Sequence, residues 1–161
     1  MKLNIIENFL DSDDLRYLSS INTKFIDSDE LKTYQNTIYK DHIMKNDCID
    51  EKKLRALNHR YHDTALNLLK KLNPEKAKLY DYSEFSIIET GSNYKFPIHD
   101  DTPNKLLSGV IYLRPEKNAG TFFYKNKFGK DKNEIKWKIN KAIFFSRSER
   151  ETWHSYEGDG N

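Results

Sequence analysis

The stretch FSIIETGSNYKFPIHDDTPNKLLSGVIYLRPEKNAGTFFYKNKF, Phe85 to Phe128, decides the fold class. Short runs of β-branched and aromatic residues are interrupted by Gly91-Ser92-Asn93, Thr102-Pro103-Asn104, Pro115 and Gly120. Runs of this kind, bounded by turn formers, read as strands. The pattern predicts strands over 85–89, 96–101, 106–113 and 120–124, with Pro97 marking an edge or irregular strand. The rhythm continues downstream. Residues 134–139 alternate, with Ile135, Trp137 and Ile139 on one face, residues 142–146 are an apolar run, and 152–156 form the next strand. Short strands at this spacing predict an antiparallel barrel or sandwich.

Upstream the reading is helical. Ser12, followed by Asp13 and Asp14, is a good N-cap for a short helix running to about Ser20. Ser28-Asp29-Glu30 is a candidate for another turn. Glu51–Leu72 carries the strongest helical signal, because Leu54, Leu57, Tyr61, Ala65, Leu68 and Leu72 fall on one face and Asn73-Pro74 ends the run. Helices first and strands after predict an α+β chain: one domain, with residues 1–80 as helical support and 81–161 as the β core.

Composition narrows the classes. At 161 residues the chain can bury one sizeable core, and 13% aromatics are too many for a disordered polymer. A net charge of +2 argues against a globally basic nucleic-acid binder or an acidic tail protein. The single cysteine, Cys48, excludes an intrachain disulfide and a cysteine metal cage. No apolar run approaches membrane-spanning length, and Lys2, Asn4, Glu7 and Asn8 interrupt any secretory core, so the expected location is the cytoplasm. Neither G-x-S-x-G nor G-x-x-x-x-G-K occurs, which removes serine-hydrolase and P-loop readings.

The chemistry sits in three residues. On an extended strand, His99 and Asp101 point to one side while Asp100 faces away. His154, on a later predicted strand, is the candidate third ligand. Two imidazoles and one carboxylate on a facial arc are the donor set of non-haem Fe(II) oxygenases, and zinc prefers a tighter tetrahedral site. The competing reading makes His99 and Asp101 a surface ion pair and packs His154 beside Trp153. His59, His62 and Asp63 lie off the helix stripe and read as solvated or locally hydrogen-bonded.

The segments Tyr94–Leu113, Ala119–Tyr124 (AGTFFY) and Lys141–Tyr156 (KAIFFSRSERETWHSY) resemble the 2-oxoglutarate/Fe(II)-dependent dioxygenases in their prolyl-4-hydroxylase-like branch, as does the opening NIIENFLDSDDL. The resemblance implies a double-stranded β-helix, or jelly roll, buttressed by N-terminal helices. It implies Fe(II) on His99, Asp101 and His154, 2-oxoglutarate as cosubstrate with ascorbate as a further cofactor, and hydroxylation of a small-molecule or peptide substrate, such as a prolyl or other amino-acid residue. Tyr112 matches a tyrosine that contacts 2-oxoglutarate in some relatives, and Gly120 with Thr121 matches the glycine-containing strand. In the family, an Arg or Lys about nine residues after the distal histidine pairs with the far carboxylate of the cosubstrate. That position falls beyond Asn161, so the last strand is expected to be missing, and Lys105, Arg114 and Arg147 are the cations in the neighbourhood. The lip segments expected to set specificity are 93–98, 102–105 and 147–152.

Two other functions compete. Between Lys125 and Lys141 lysines outnumber acids seven to two, and with Phe128 and Trp137 nearby this hairpin is a candidate weak nucleic-acid contact. A non-catalytic cupin-like barrel that binds metal or sugar is the second alternative.

Overall fold

The computed structural model describes residues 2–23, 27–40, 42–44 and 48–160. It is a mixed α/β fold of three small sheets around a few helices, and every strand pairing described is antiparallel. The strands are β1 (Leu3–Ile6), β2 (Leu31–Tyr39), β3 (His42–Met44), β4 (Ser83–Thr90), β5 (Lys95–His99), β6 (Ser108–Ile111), β7 (Thr121–Tyr124), β8 (Asn133–Ile135), β9 (Ala142–Phe145) and β10 (Trp153–Glu157). The helices are α1 (Ser12–Ser19), α2 (Glu51–Leu72) and the single turn α3 (Pro74–Ala77).

The sheets run β1-β9-β6, β5-β10-β7-β8 and β3-β2-β4. From β5 onward the chain passes back and forth between the first two, with only β7 and β8 consecutive in one sheet, so most neighbours in space are distant in sequence. Strand β9 shows why they can stack. All four of its residues are buried, as its unbroken apolar run requires. Ile143 and Phe145 join Tyr112, Phe123 and Ile135 in the core between the two sheets. Ala142 and Phe144 face the other way, onto Leu68 and Leu72 of α2.

Helix α2 is the central support. Its buried residues are Leu54, Leu57, Tyr61, Leu68 and Leu69, close to the predicted stripe, and Asp50 caps it by accepting from the Lys53 N–H. One end of its stripe packs with Ile38 and Ile49, the middle with Phe9, Leu10 and Phe85, and the far end with β9. Gly120 is required where β7 begins, because a Cβ there would stand 1.8 Å from the Ile135 carbonyl oxygen of β8.

Two expectations need correction. Residues 1–80 are not uniformly helical, since β1, β2 and β3 lie there and β2 pairs with β4 over eight residues, Leu31 with Thr90 through Ile38 with Ser83. The inward positions of β2 include Asn36, fully buried, whose amide donates to the Phe85 carbonyl at 2.9 Å. A buried polar residue in an otherwise hydrophilic run hides the period of two that marks a strand. The cap of α1 is also displaced by one residue: Asp11, not Ser12, accepts from the Asp14 N–H at 2.8 Å. No helix among the described residues is long and apolar enough to cross a membrane.

Candidate metal centre

The centre is assembled by strand pairing. Strand β10 lies between β5 and β7, and its register sets His154 opposite both His99 and Phe123. Directly opposed residues of an antiparallel pair project to the same face. The two imidazoles accordingly meet with ring centroids 4.1 Å apart. Asp101 follows the end of β5, and its carboxylate turns back toward the histidines. The donor atoms of His99, Asp101 and His154 all lie within 4.8 Å of one another, the one such group of three among the described residues.

Each histidine is oriented by the backbone carbonyl two residues before it. The Nδ1–H of His99 donates to the Pro97 carbonyl at 3.0 Å, and that of His154 to the Thr152 carbonyl at 2.8 Å. This leaves both Nε2 lone pairs for a ligand, the arrangement that metal-binding histidines adopt. Phe96, Phe123 and Phe145 wall the rings, at centroid distances of 4.4 Å to His99 and of 5.8 and 4.9 Å to His154.

The electrostatics keep His154 and Asp101 in their metal-binding forms. Burial lowers the His154 pKa below the ordinary imidazole value, as does the neighbouring His99, while the hydrogen bond to Thr152 and the charge of Asp101 oppose this. The ring therefore stays neutral at pH 7. Burial pushes the Asp101 carboxyl up, but hydrogen bonds from Lys105 and Ser108 and the charges of Lys105 and His154 outweigh it and hold it below the ordinary value. Lys105 Nζ sits 2.8 Å from Asp101 Oδ1, and Ser108 Oγ donates to Oδ2 at 2.5 Å.

The donor set fits a divalent ion. Donors each about 2.1 Å from one ion stand about 3 Å apart in cis, so these side chains need to draw in by less than about 2 Å. The ion would replace the Lys105 ammonium as the charge partner of Asp101.

The other expected residues have partners of their own. Tyr112 is buried, stacked on Trp137 at 4.3 Å. Its hydroxyl donates to Thr121 Oγ1 and accepts from the Thr121 N–H, both at 2.8 Å, so in this structure it serves the core between the sheets. Arg114 reaches away from the centre, to Glu89, Thr23 and the Ser19 carbonyl. Arg147 lies beside it, its Nε–H on the Asp101 carbonyl oxygen. Asp101 thus pairs with Lys105 and not with His99, and His154, 9% exposed, is walled by phenylalanines. His59 and Asp63 are exposed, and the His62 ring lies 5.1 Å from Tyr80. In the lysine-rich hairpin, Lys138 and Lys141 pair with Glu7 and Lys125 with Asp131, which dilutes the charge. Ser108 and Thr152 escape sequence reasoning, because nothing in their spacing announces a partner.

No protein-family model, curated protein or solved structure matches this chain.

Proposed function

We propose that the protein is a 2-oxoglutarate- and Fe(II)-dependent dioxygenase of the prolyl-4-hydroxylase-like kind, built on a double-stranded β-helix. The observation that carries the reading is the convergence of His99, Asp101 and His154, with both Nδ1 atoms committed to backbone carbonyls. Two imidazoles and one carboxylate are the facial set that leaves open positions on iron. The alternation of strands between the β1-β9-β6 and β5-β10-β7-β8 sheets supports the jelly-roll description.

When bound, the iron, with 2-oxoglutarate and O2, supplies the chemistry that hydroxylates a substrate C–H bond and releases succinate and CO2. The chain's own residues do the rest. His99 and neutral His154 present Nε2, ionised Asp101 supplies the negative charge, and the three phenylalanines exclude water from the ring side of the site. Lys105, on a flexible stem, would give up Asp101 to a bound metal and stand as a cation at the rim for a carboxylate-bearing ligand. The substrate is a small molecule or peptide approaching over residues 93–98 and 102–105.

Anaerobic titration with Fe(II), with and without 2-oxoglutarate, tests this. A metal-to-ligand charge-transfer band that needs both, absent in His154→Ala, and succinate formation on admitting O2 are expected. Iron binding with no band would leave a non-catalytic metal-binding barrel of cupin type, and no iron binding would end the proposal.

A further inference from the structure

Behind the three donors lies a second set of side chains that the chemistry above does not use. Asp100, the residue between His99 and Asp101, points away from the metal position, yet its carboxylate is only 9% exposed. Oδ1 accepts from the Thr152 hydroxyl at 2.5 Å, and Oδ2 accepts from the Arg150 N–H at 3.3 Å and faces the Arg147 guanidinium at 3.2 Å. The same guanidinium donates through Nε to the Asp101 carbonyl oxygen, and the Arg147 carbonyl is held by Lys76 Nζ at 2.5 Å. Thr152, 1% exposed, offers its own carbonyl to the His154 Nδ1–H.

We propose that Asp100, Arg147 and Thr152 are positioning residues, a clamp that sets the His154 imidazole against the His99–Asp101 corner and thereby sets the affinity and geometry of a divalent metal. The inference rests on the metal-centre reading above. One arm runs from the Asp100 carboxylate through the Thr152 hydroxyl to the carbonyl that orients His154. The other runs from the Arg147 fork to both Asp100 and the backbone of Asp101. Together they bridge two ligand-bearing segments more than fifty residues apart.

The backbone ladder sets His154 opposite His99, but on the β5 side the register slips immediately after that pair, between His154 and Tyr156, and the clamp adds a side-chain tie from the Thr152 side. The bonds of the clamp are suited to this. An arginine fork has a set direction, and charge-assisted hydrogen bonds strengthen where water is excluded. The contrast is Arg150 with Glu149, at 85% and 73% exposure, a pair that contributes little.

The test titrates the full chain with Mn(II) and records the visible spectrum of its Co(II) form. Asp100→Asn keeps the shape but removes the charge, and Thr152→Val removes the hydroxyl. Both are expected to weaken Mn(II) binding about tenfold to a hundredfold and to shift the Co(II) bands, as changes behind metal ligands do. Thr152→Ser, which keeps the hydroxyl, is expected to restore wild-type binding and spectrum. Should Asp100→Asn fail to fold, the Thr152 pair decides. A purely structural network would lower the melting temperature of the metal-free chain and leave Mn(II) affinity and the Co(II) bands of the folded protein unchanged, and that result overturns the clamp alone. A wild-type chain that binds no Mn(II) overturns the metal-centre reading and the clamp with it.

Discussion

Lys105→Met should move two properties in opposite directions. In the metal-free chain Lys105 Nζ lies 2.8 Å from an Asp101 carboxylate whose side chain is 4% exposed, while the lysine itself is 49% exposed. A hydrogen bond between charged groups contributes about 1.5–3 kcal/mol, and the open side of this lysine discounts that toward about 1–2 kcal/mol. Removing the ammonium leaves a buried carboxylate with only Ser108 as its hydrogen-bond partner among the described residues, so the metal-free chain should lose about this amount of stability. Once a metal ion has replaced the ammonium on Asp101, the lysine no longer contributes there. The metal-bound state is then nearly indifferent to the substitution, and the thermodynamic cycle transfers the whole difference to binding. At 1.4 kcal/mol per factor of ten, the variant should hold a divalent ion about five- to thirtyfold more tightly. Urea unfolding of the metal-free protein and calorimetric titration with Mn(II) read the two halves. If Lys105→Met binds metal more weakly than wild type, the ammonium does not stand where the ion goes, and the displacement argument fails.

Further outcomes follow from the same geometry. His99→Ala and His154→Ala should each abolish measurable Mn(II) binding while leaving the far-ultraviolet circular dichroism spectrum intact; retention of wild-type affinity in either would remove that residue from the ligand set. Because burial depresses the His154 pKa, the unfolded chain takes up that proton first, so the stability contributed by the neutral ring is complete above about pH 6.5 and is lost as pH falls through the lower folded value. Melting curves of the metal-free chain should therefore decline from pH 7 toward pH 5, less steeply in His154→Ala, and Mn(II) should be released over the same range. Asn36→Ala bares the Phe85 carbonyl inside the β2–β4 pair and should cost about 1–3 kcal/mol by urea unfolding; an unchanged midpoint would mean that water replaces the amide. Gly120→Ala forces a methyl group against the Ile135 carbonyl and should destabilise by about 3 kcal/mol or more, and a normal melting temperature would refute that close approach.

Much was legible in the residues themselves, for local reasons. The apolar stripe of α2 repeats every three or four positions, so it announces a helix wherever the chain goes, and the Asn73-Pro74 stop needs no partner. Strands β4, β6, β7, β9 and β10 carry β-branched and aromatic runs between turn formers and appear within a few residues of their expected bounds. The triad of His99, Asp101 and His154 was proposed from residue type, and the alternation that sends Asp100 to the opposite side was likewise readable.

What the order of residues does not contain is register and company. β2 is a strand because β4 pairs with it along eight residues and because Asn36 finds a buried carbonyl, and neither fact is local. That His154 meets His99 depends on β10 inserting between β5 and β7 in one alignment; a shift by one residue would turn the imidazole to the other face. Lys105 and Ser108 on Asp101, and Arg147 and Thr152 on Asp100, are likewise products of the folded chain. Side-chain chemistry is written residue by residue, whereas the distance between two side chains is set by the packing of everything between them. The chain alone therefore names the donors, and only its tertiary structure decides that they stand within reach of one ion.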